Sequence, residues 1–468
     1  MAQQTTADAA LLTIYKHYYT DKEFPNLLFR NSPTLKKIQK NRFQGQSYRM
    51  AALYGRGGAV SGDYTVAVAL AASMSRNLEF VVTPGNCFSV FNITQKEILA
   101  SQTKQGAYVK ALINRMFAAT EGSRKLLAAS LFGWGYGDVG QLPTAVTAAA
   151  TSMTLNWDTV VKLDVGMVFY ITNGGAGNTP STVWYDATAR TISNISGQLV
   201  TWTGGGATAG GWAAGSWIQI AGGQDNATVG GGNPNMPTGL GQWLPWYARR
   251  GALVYNPTWA AYIHTAFYGV TRDVAVGQMA GWYYEQQAGE LMSDAIVNCL
   301  KNVRRGGGVP DMIVVNDEDF ASLITELQQN VTYYQMVNSL PEKAGTNEVT
   351  RGISAFRAAF SKSFVEILYE DPYCPKGVAY ILDTEAIEFV ALNNVAALND
   401  TIPNNEPGAQ TVESQSEPDT SFKLLIDDYI NTAPNSTSAE GPAVQVSLSF
   451  YGNFALHAPG HCGVVKFQ

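Results

Sequence analysis

Residues 311–324 have the sequence DMIVVNDEDFASLI, in which an apolar run is followed by three acids and then by apolar residues at helical spacing. The run 311–316 is short and rich in β-branched residues, which is typical of a strand buried on both faces. The acids at 317–319 favour the positive N-terminal end of a helix dipole. The stretch therefore predicts a buried strand that leads directly into a helix over 317–327.

A second helix is predicted over 285–304, just before this segment. Its apolar residues recur at three- and four-residue spacing and form one continuous stripe: Ala288, Leu291, Met292, Ala295, Ile296, Cys299, Leu300 and Val303. Three glycines at 306–308 and Pro310 are expected to end it. Strand character returns in three later segments: FVEIL (364–368), VAYIL (378–382) and IEFVAL (387–392). These patterns together predict an α+β domain over 246–440.

The composition changes between 133 and 245, where charged residues nearly vanish and Gly, Thr, Ser and Trp are frequent. Short strand-like segments recur there roughly every 10–15 residues, separated by glycine-rich turns. The flanking segments have a different character. We therefore expect 133–245 to be an inserted all-β module, built as a sandwich or a barrel.

The first third of the chain is expected to hold three elongated pieces. Residues 1–41 have mixed charge and two prolines, and predict an arm that docks on another surface. Residues 42–92 place two strand-like stretches around the glycine-rich YGRGGAVSGDY, which predicts a long hairpin with a loop at its tip. Residues 93–132 predict a long helix, because Thr94 and Glu97 have capping-box spacing and an apolar stripe follows them.

Charged residues make up only 15% of the 468-residue chain, whereas 46% of it is apolar. An average soluble protein has about 25% charged residues, so much of this surface must be covered. The chain has no run of about 20 apolar residues, which is the length that spanning a bilayer requires. Its N-terminus does not have the pattern of a signal peptide. A large interface between subunits is the favoured explanation, and no membrane partner is expected.

The net charge of −6 and the lack of a basic run argue against a protein that recognises nucleic-acid sequence. The four cysteines are scattered without metal-binding spacing, which fits synthesis in a reducing cytoplasm.

Several residue patterns could carry chemistry, and each has a plainer explanation. The two histidines and the cysteine of His457–Cys462 are too few for a zinc site and flank a turn. The glycine runs match no phosphate-binding loop. The acids at 317–319 are explained by helix capping, and Glu370 and Asp371 by a turn or by surface charge. No catalytic residue, metal ligand or cofactor is therefore predicted.

Four tryptophans of the 133–245 range, Trp184, Trp202, Trp212 and Trp217, have two explanations. In alternating strands they are expected to lie in a core or an interface. They could also form a platform for sugars, and 11% of the chain is aromatic. An aromatic-rich carbohydrate-binding or adhesive β protein therefore remains an alternative.

The order of these pieces resembles that of the major capsid proteins of tailed double-stranded DNA bacteriophages, which have the Hong Kong 97-type fold. Local motifs carry the resemblance: GLGQWLP (239–245), YGVTRD (268–273), DMIVVNDEDFASLI (311–324), YEDPYCPKGVAYILDTEAIEF (369–389) and VSLSFYGNFALHAPGHCGVVKF (446–467).

The resemblance implies an α+β fold in which each expected piece has a named counterpart. The counterparts are the N-terminal arm (1–41), the extended E-loop hairpin (42–92), the spine helix of the peripheral domain (93–132), an inserted all-β module (133–245), the axial α+β domain (246–440) and a C-terminal strand that returns to the peripheral domain (441–468).

The function implied is that of a non-catalytic shell protein that self-assembles into an icosahedral head around double-stranded DNA. Its main partner would be itself, in hexamers and pentamers, with scaffolding, portal and decoration proteins as further partners. The packaged DNA would be contacted non-specifically. The expected location is the virion, after synthesis in the cytoplasm of a bacterial host. A nanocompartment shell of the encapsulin type is the alternative within the same fold.

Two charged residues at the expected hairpin tip, Arg56 and Asp63, are the predicted contacts between subunits. Some relatives cross-link their shells through a lysine on this hairpin. This chain has no lysine between Lys40 and Lys96, so cross-linking by that route is not expected.

Overall fold

The computed structural model describes residues 32–53, 61–71, 77–94, 122, 125–172, 184–208, 210–223, 234–246, 267–272, 276–330, 367–392 and 443–468. One compact unit is formed by residues 32–86, 128–395 and 451–468. In the ranges described, no helix combines the length and the hydropathy that crossing a bilayer requires.

The strands are short and fall into four sheets. In chain order they are β1 Gln39–Arg42, β2 Tyr48–Leu53, β3 Asn77–Val82, β4 Gly85–Thr94, β5 Asp138–Gln141, β6 Ser152–Thr154, β7 Val168–Thr172, β8 Trp184–Ser196, β9 Leu199–Thr203, β10 Trp217–Ile220, β11 Trp282–Glu285, β12 Met312–Val315, β13 Ile367–Glu370, β14 Val378–Leu382, β15 Ile387–Ala391, β16 Ala443–Leu456 and β17 Gly463–Lys466.

Two helices of 14 residues accompany several shorter ones. In chain order they are α1 Pro33–Lys37, α2 Tyr64–Ala71, α3 Trp157–Val160, α4 Leu240–Trp243, α5 Val276–Met279, α6 Met292–Arg305 and α7 Asp317–Asn330, with a 3₁₀ turn at Pro459–His461. Residues 125–131 are also helical.

The five-stranded sheet has the order β11-β17-β14-β12-β13. All four residues of β12 are buried, and β12 pairs parallel with β13 and antiparallel with β14. The apolar face of α6 packs in the same core through Ala295, Ile296, Cys299, Leu300 and Val303. The predicted step from a buried strand into an acid-started helix is confirmed by β12 and α7.

Helix α6 starts later than predicted, at Met292 and not at residue 285. Residues 282–285 belong instead to β11, which pairs parallel with β17. The carboxylate of Glu326 on α7 accepts the amide hydrogens of Met292 and Ser293, at 2.8 and 3.2 Å. These bonds satisfy the free amides of the first turn of α6, which explains why the helix begins there.

The C-terminal segment differs from the expectation that all of 441–468 returns to a peripheral domain. The long strand predicted there is present as β16. After it the chain turns, and β17 lies between β11 and β14 inside the five-stranded sheet. The alternating pattern identified the strand but gave no information about where the last residues pair.

The four-stranded sheet has the order β1-β15-β16-β4. Strand β15 pairs parallel with β1 and antiparallel with β16, and the rings of Phe389 and Phe454 lie 4.9 Å apart in this ladder. Residues 39–42 therefore belong to a sheet, whereas the whole of 1–41 was expected to be an arm that docks on another surface. Strand β4 extends to Thr94, so the predicted helix start at residue 93 is wrong. Residues 95–121 of that expected helix lie outside the described part.

The six-stranded sheet has the order β5-β10-β7-β8-β9-β6. Its core holds Phe169, Ile171, Ile192, Val200 and Ile218, all fully buried. Residues 138–220 thus contain a sheet with a hydrophobic core of its own, and we call this part the β module.

Candidate subunit-contact surface

A hairpin made of β2 and β3 projects helix α2. The strands pair antiparallel from Tyr48 opposite Val82 to Leu53 opposite Asn77. One face of the hairpin base is buried on the same chain, where the ring of Phe80 lies 5.5 Å from that of Trp243. This face of the hairpin base is therefore covered by the same chain and needs no second subunit to cover it.

Helix α2 is held at its start by Asp63. The carboxylate of Asp63 accepts the amide hydrogen of Thr65 at 2.7 Å, and its carbonyl accepts that of Ala67 at 2.9 Å. The bonds from Thr65 lower the pKa of Asp63 below its ordinary value. Asp63 is thus a helix cap, which satisfies amides of the first turn of α2.

The surface of α2 is apolar on more than one side. Its sequence YTVAVALA carries no charge, and Tyr64, Val66 and Val68 are 84%, 47% and 53% exposed. Tyr64 and Val68 are four residues apart and share one face, while Val66 lies about 200° away around the helix axis. A short helix that is apolar all round is stable in water only when other surfaces cover it.

The two charged residues predicted to contact another subunit have different outcomes. Arg56 lies outside the described residues. Asp63 is exposed beside α2, where its carboxylate is engaged in capping. A contact of Asp63 with another subunit stays a prediction. Helix α2, which follows Asp63, was not predicted from the sequence, although an aspartate before an alanine-rich run is an N-cap signal.

The first strand of the hairpin is anchored by Glu388 on β15. Its carboxylate lies 2.5 Å from Nε2 of His457, accepts the side-chain amide of Asn41 at 2.5 Å, and binds the hydroxyl of Tyr48. Burial alone would raise the pKa of Glu388, but these bonds outweigh it and leave the pKa below its ordinary value. Burial and the same carboxylate raise the pKa of Tyr48 to about 12.

The return strand of the hairpin is anchored by Asn453 on β16. Its amide nitrogen donates to the carbonyl of Thr83 and to the hydroxyl of Tyr268, both at 2.7 Å. Its oxygen accepts the amide hydrogen of Thr238 at 2.7 Å. Because Asn453 is buried and lies on the strand next to Glu388, adjacent strands hold both feet of the hairpin.

Arg272 connects two of the sequence motifs, 239–245 and 268–273. Its guanidinium is buried and donates to the carbonyls of Gln242 and Trp243, at 2.9 and 3.3 Å. It also lies 4.3 Å from the ring centroid of Phe267. The arginine satisfies carbonyls at the end of α4 and so fixes the surface on which Phe80 packs.

Three of the four tryptophans singled out in the sequence are buried and form no exposed platform. Trp202 and Trp212 are buried and stacked 5.2 Å apart, and Trp217 is buried as well. Trp184 lies in β8, and its side chain is outside the description. The core explanation therefore holds for three of the four residues, and the sugar platform is wrong for those three.

The pattern His457–Cys462 does not converge on one point. His457 binds Glu388, while Nδ1 of His461 lies 3.6 Å from Asp383. The thiol of Cys462 is buried, and burial raises its pKa to about 12. Among the residues described, no three His, Cys, Asp or Glu side chains could hold a metal ion together.

Asp371 was expected in a turn or as a surface charge. Its carbonyl accepts the amide of Cys374 at 3.0 Å, which confirms the turn, but the residue is fully buried and is not a surface charge. Burial raises its pKa, while hydrogen bonds from Ser32, Thr34 and Tyr373 oppose the rise. The hydroxyl of Ser32 donates to Asp371 at 2.5 Å and also caps α1. Asp371 thus anchors the residue that caps α1.

Comparison with known proteins gives structural likenesses at low sequence identity. Neither a protein-family model nor a curated protein matches the chain. A chain of the cyanophage A-1(L) capsid asymmetric unit matches with a TM-score of 0.50 and 11% identity, over 96% of each chain. A chain of Mycobacterium phage Bobi has a TM-score of 0.39 and 10% identity, over 98% of each chain. A chain of the virus-like particle from Pyrococcus furiosus has a TM-score of 0.32 and 8% identity, over 92% of this chain and 91% of that one.

The fold assignment rests on the cyanophage chain, which spans nearly the whole length of both proteins. This chain has the Hong Kong 97-type capsid fold, with mixed α and β content.

Proposed function

We propose that this chain is a major capsid protein that self-assembles into the icosahedral head of a tailed phage and encloses double-stranded DNA. The observation that carries the proposal is helix α2, an uncharged helix with exposed apolar faces, held out on a hairpin whose two feet are fixed. The fold and the low charge of 15% support the same conclusion.

In this proposal the occupant of the α2 surface is a second copy of the chain. A hairpin that reaches from one copy onto a different surface of the next makes a heterologous contact, and such contacts close into rings. Fully burying a valine side chain contributes about 1.5–3 kcal/mol. Val66 and Val68 of every copy would contribute to each contact around a ring of five or six.

The named pieces of the fold are assigned within the same proposal. The β2–β3 hairpin with α2 is the E-loop, and the five-stranded sheet with α6 and α7 is the axial domain. The sheet of β1, β15, β16 and β4 belongs to the peripheral domain, and the β module is an insertion. Residues 125–131, which are helical, are assigned to the expected spine helix.

Further partners follow from the role of a head protein. Scaffolding, portal and decoration proteins are the proposed additional partners, and the net charge of −6 suits a shell that contains DNA without binding it tightly. The proposed location is the virion.

The decisive experiment is the particle size of the purified protein, by sedimentation and electron microscopy. We expect closed spherical particles from the wild type. The double variant Val66→Lys/Val68→Lys should remain as small, folded subunits, because each lysine would be buried without a partner in the contact. Arg49→Ala is the matched control, because Arg49 is exposed on the same hairpin and its ion pair with Glu79 contributes little.

Three results would count against the proposal. The wild type could remain as dispersed single chains, or the double variant could assemble normally. Glycan binding by the dispersed chain would support the carbohydrate-binding alternative.

A further inference from the structure

The β module meets the α+β domain at the turn before β14. Two consecutive amides of that turn donate to two carboxylates that come from different parts of the fold. The amide of Lys376 donates to Asp158 on α3 at 3.3 Å, and the amide of Gly377 donates to Asp319 on α7 at 2.6 Å. One turn therefore connects the module to the helix that follows β12, and we call this contact the seat.

The seat holds more acidic than basic groups. The carboxylates of Asp158, Glu318 and Asp319 face it, and the ammonium group of Lys376 pairs with Glu318. Lys162 is buried nearby, and its ammonium group donates to the carbonyl of Val139 at 3.1 Å.

Two further titratable groups lie behind the turn. The thiol of Cys374 is fully buried, and burial raises its pKa well above the ordinary value, so it stays neutral. The buried Asp371 is bound by Ser32. Of the two buried carboxylates, Asp319 accepts an amide of the seat, whereas Asp371 binds Ser32.

Asp319 has an unusual position for a carboxylate. It is 7% exposed, and burial raises its pKa to about 6. The amide of Gly377 and the charge of Lys376 oppose the rise, while the charges of Asp158 and Glu318 add to it. An ordinary aspartate titrates near 3.9, so this group changes charge in a range where most carboxylates do not.

We propose that the seat is a proton-responsive joint, in which a neutral Asp319 holds the β module against the α+β domain and an ionised Asp319 loosens it. When Asp319 is ionised, its charge repels that of Asp158 across a turn that both carboxylates share. When Asp319 is protonated, the repulsion disappears and its oxygen still accepts the amide of Gly377. The joint is a property of the single chain and does not depend on assembly.

The direction in which pH changes the stability of the closed joint follows from the direction of the pKa change. A carboxyl whose pKa is higher in the closed state stabilises that state at low pH, and the stabilisation is lost as pH rises through about 6. A change of about two pKa units corresponds to at most a 100-fold change in the opening equilibrium, and partial solvation reduces it towards about tenfold.

The test is hydrogen exchange of the full chain, measured for the amides of 376–377 and 157–161 and divided by the intrinsic exchange rate at each pH. We expect these amides to be up to about tenfold less protected at about pH 7.5 than at about pH 5, because part of the full change falls below pH 5. Amides of β7 and β10, inside the module, should show no such change.

Asp319→Asn should remove the pH dependence of amide protection. It should keep the protection that the wild type has at low pH, because the side-chain oxygen of the asparagine still accepts the amide of Gly377. Asp317→Asn is the matched control in the same helical turn, and it should keep the wild-type dependence. Equal wild-type protection at the two pH values would overturn the proposal. So would an unchanged dependence in Asp319→Asn.

Discussion

The imidazole of His457 and the carboxylate of Glu388 lie 2.5 Å apart, at the end of β16 and the start of β15. The same carboxylate binds Asn41 on β1 and Tyr48, the first residue of the hairpin. One buried acid thus joins three strands of one sheet to the structure that projects α2. The rigidity of the hairpin foot therefore depends on a charge with several donors around it.

Replacing Glu388 should destabilise the chain in a pH-dependent way. Glu388→Gln removes the charge that three donors surround, and we expect a loss of about 2–4 kcal/mol in the free energy of unfolding at neutral pH. The pKa of Glu388 is lowered in the folded chain, so its contribution is present above the ordinary value of 4.5 and is lost as pH falls through the lower folded pKa. The difference between variant and wild type should therefore shrink below about pH 4.

Urea unfolding at neutral and acidic pH checks this prediction. Glu79→Gln is the control, because Glu79 lies on the same hairpin in an exposed ion pair, and we expect a change within about 0.5 kcal/mol. A difference between Glu388→Gln and wild type that stays constant with pH would contradict the charge argument.

Asn453 allows a test that separates donor from acceptor. Asn453→Asp keeps the shape and the acceptor for Thr238 but faces the oxygens of Thr83 and Tyr268 with a carboxylate. We expect a loss of about 3 kcal/mol or more, because a charged oxygen would replace the donor to the carbonyl of Thr83 at a buried position. The amides of β3 should lose protection from hydrogen exchange first.

Asn302→Asp serves as the comparison, since Asn302 is on α6 and its oxygen already accepts from the exposed Arg305. We expect a change within about 0.5 kcal/mol there. Equal effects of the two substitutions would show that Asn453 is not an anchor.

The sequence predicted the central strands of the five-stranded sheet well, because burial on both faces leaves a continuous apolar run. Strands β12 and β14 have such runs, and α6 shows its buried stripe at helical spacing. The pairing could not be predicted in the same way. Strands β14 and β15 are neighbours in the sequence but lie in different sheets, and no local pattern records which partner each one meets.

The polar anchors could not be predicted because their partners are distant in the sequence. Asp371 and Ser32 are 339 positions apart, and Asn453 and Thr83 are 370 apart. A single acid or amide in an apolar strand is equally consistent with an edge position and with a buried hydrogen bond. Helix α2 was missed for another reason. Alternating Val and Ala residues also fit a strand, and only the cap at Asp63 favours a helix.

Arg272 should be sensitive to loss of its hydrogen bonds. Arg272→Met keeps much of the volume but leaves the carbonyls of Gln242 and Trp243 without that donor and removes the cation from the ring of Phe267. We expect a loss of about 2–4 kcal/mol in urea unfolding. Arg49→Met, at an exposed position, should change stability by less than about 0.5 kcal/mol, and equal losses at the two positions would refute the role of Arg272.

The β module offers a matched pair of tryptophans. Trp212 is 1% exposed, stacks on Trp202 and lies under the guanidinium of Arg190 at 4.9 Å, whereas Trp157 is 45% exposed. Trp212→Ala should cost about 3–5 kcal/mol, because it leaves a cavity in the core of the six-stranded sheet. Trp157→Ala should cost less than about 1 kcal/mol. Thermal and urea unfolding, followed by near-ultraviolet circular dichroism, measure both. If Trp157→Ala were the more damaging change, the tryptophans of the module would act at its surface and the core assignment would be wrong.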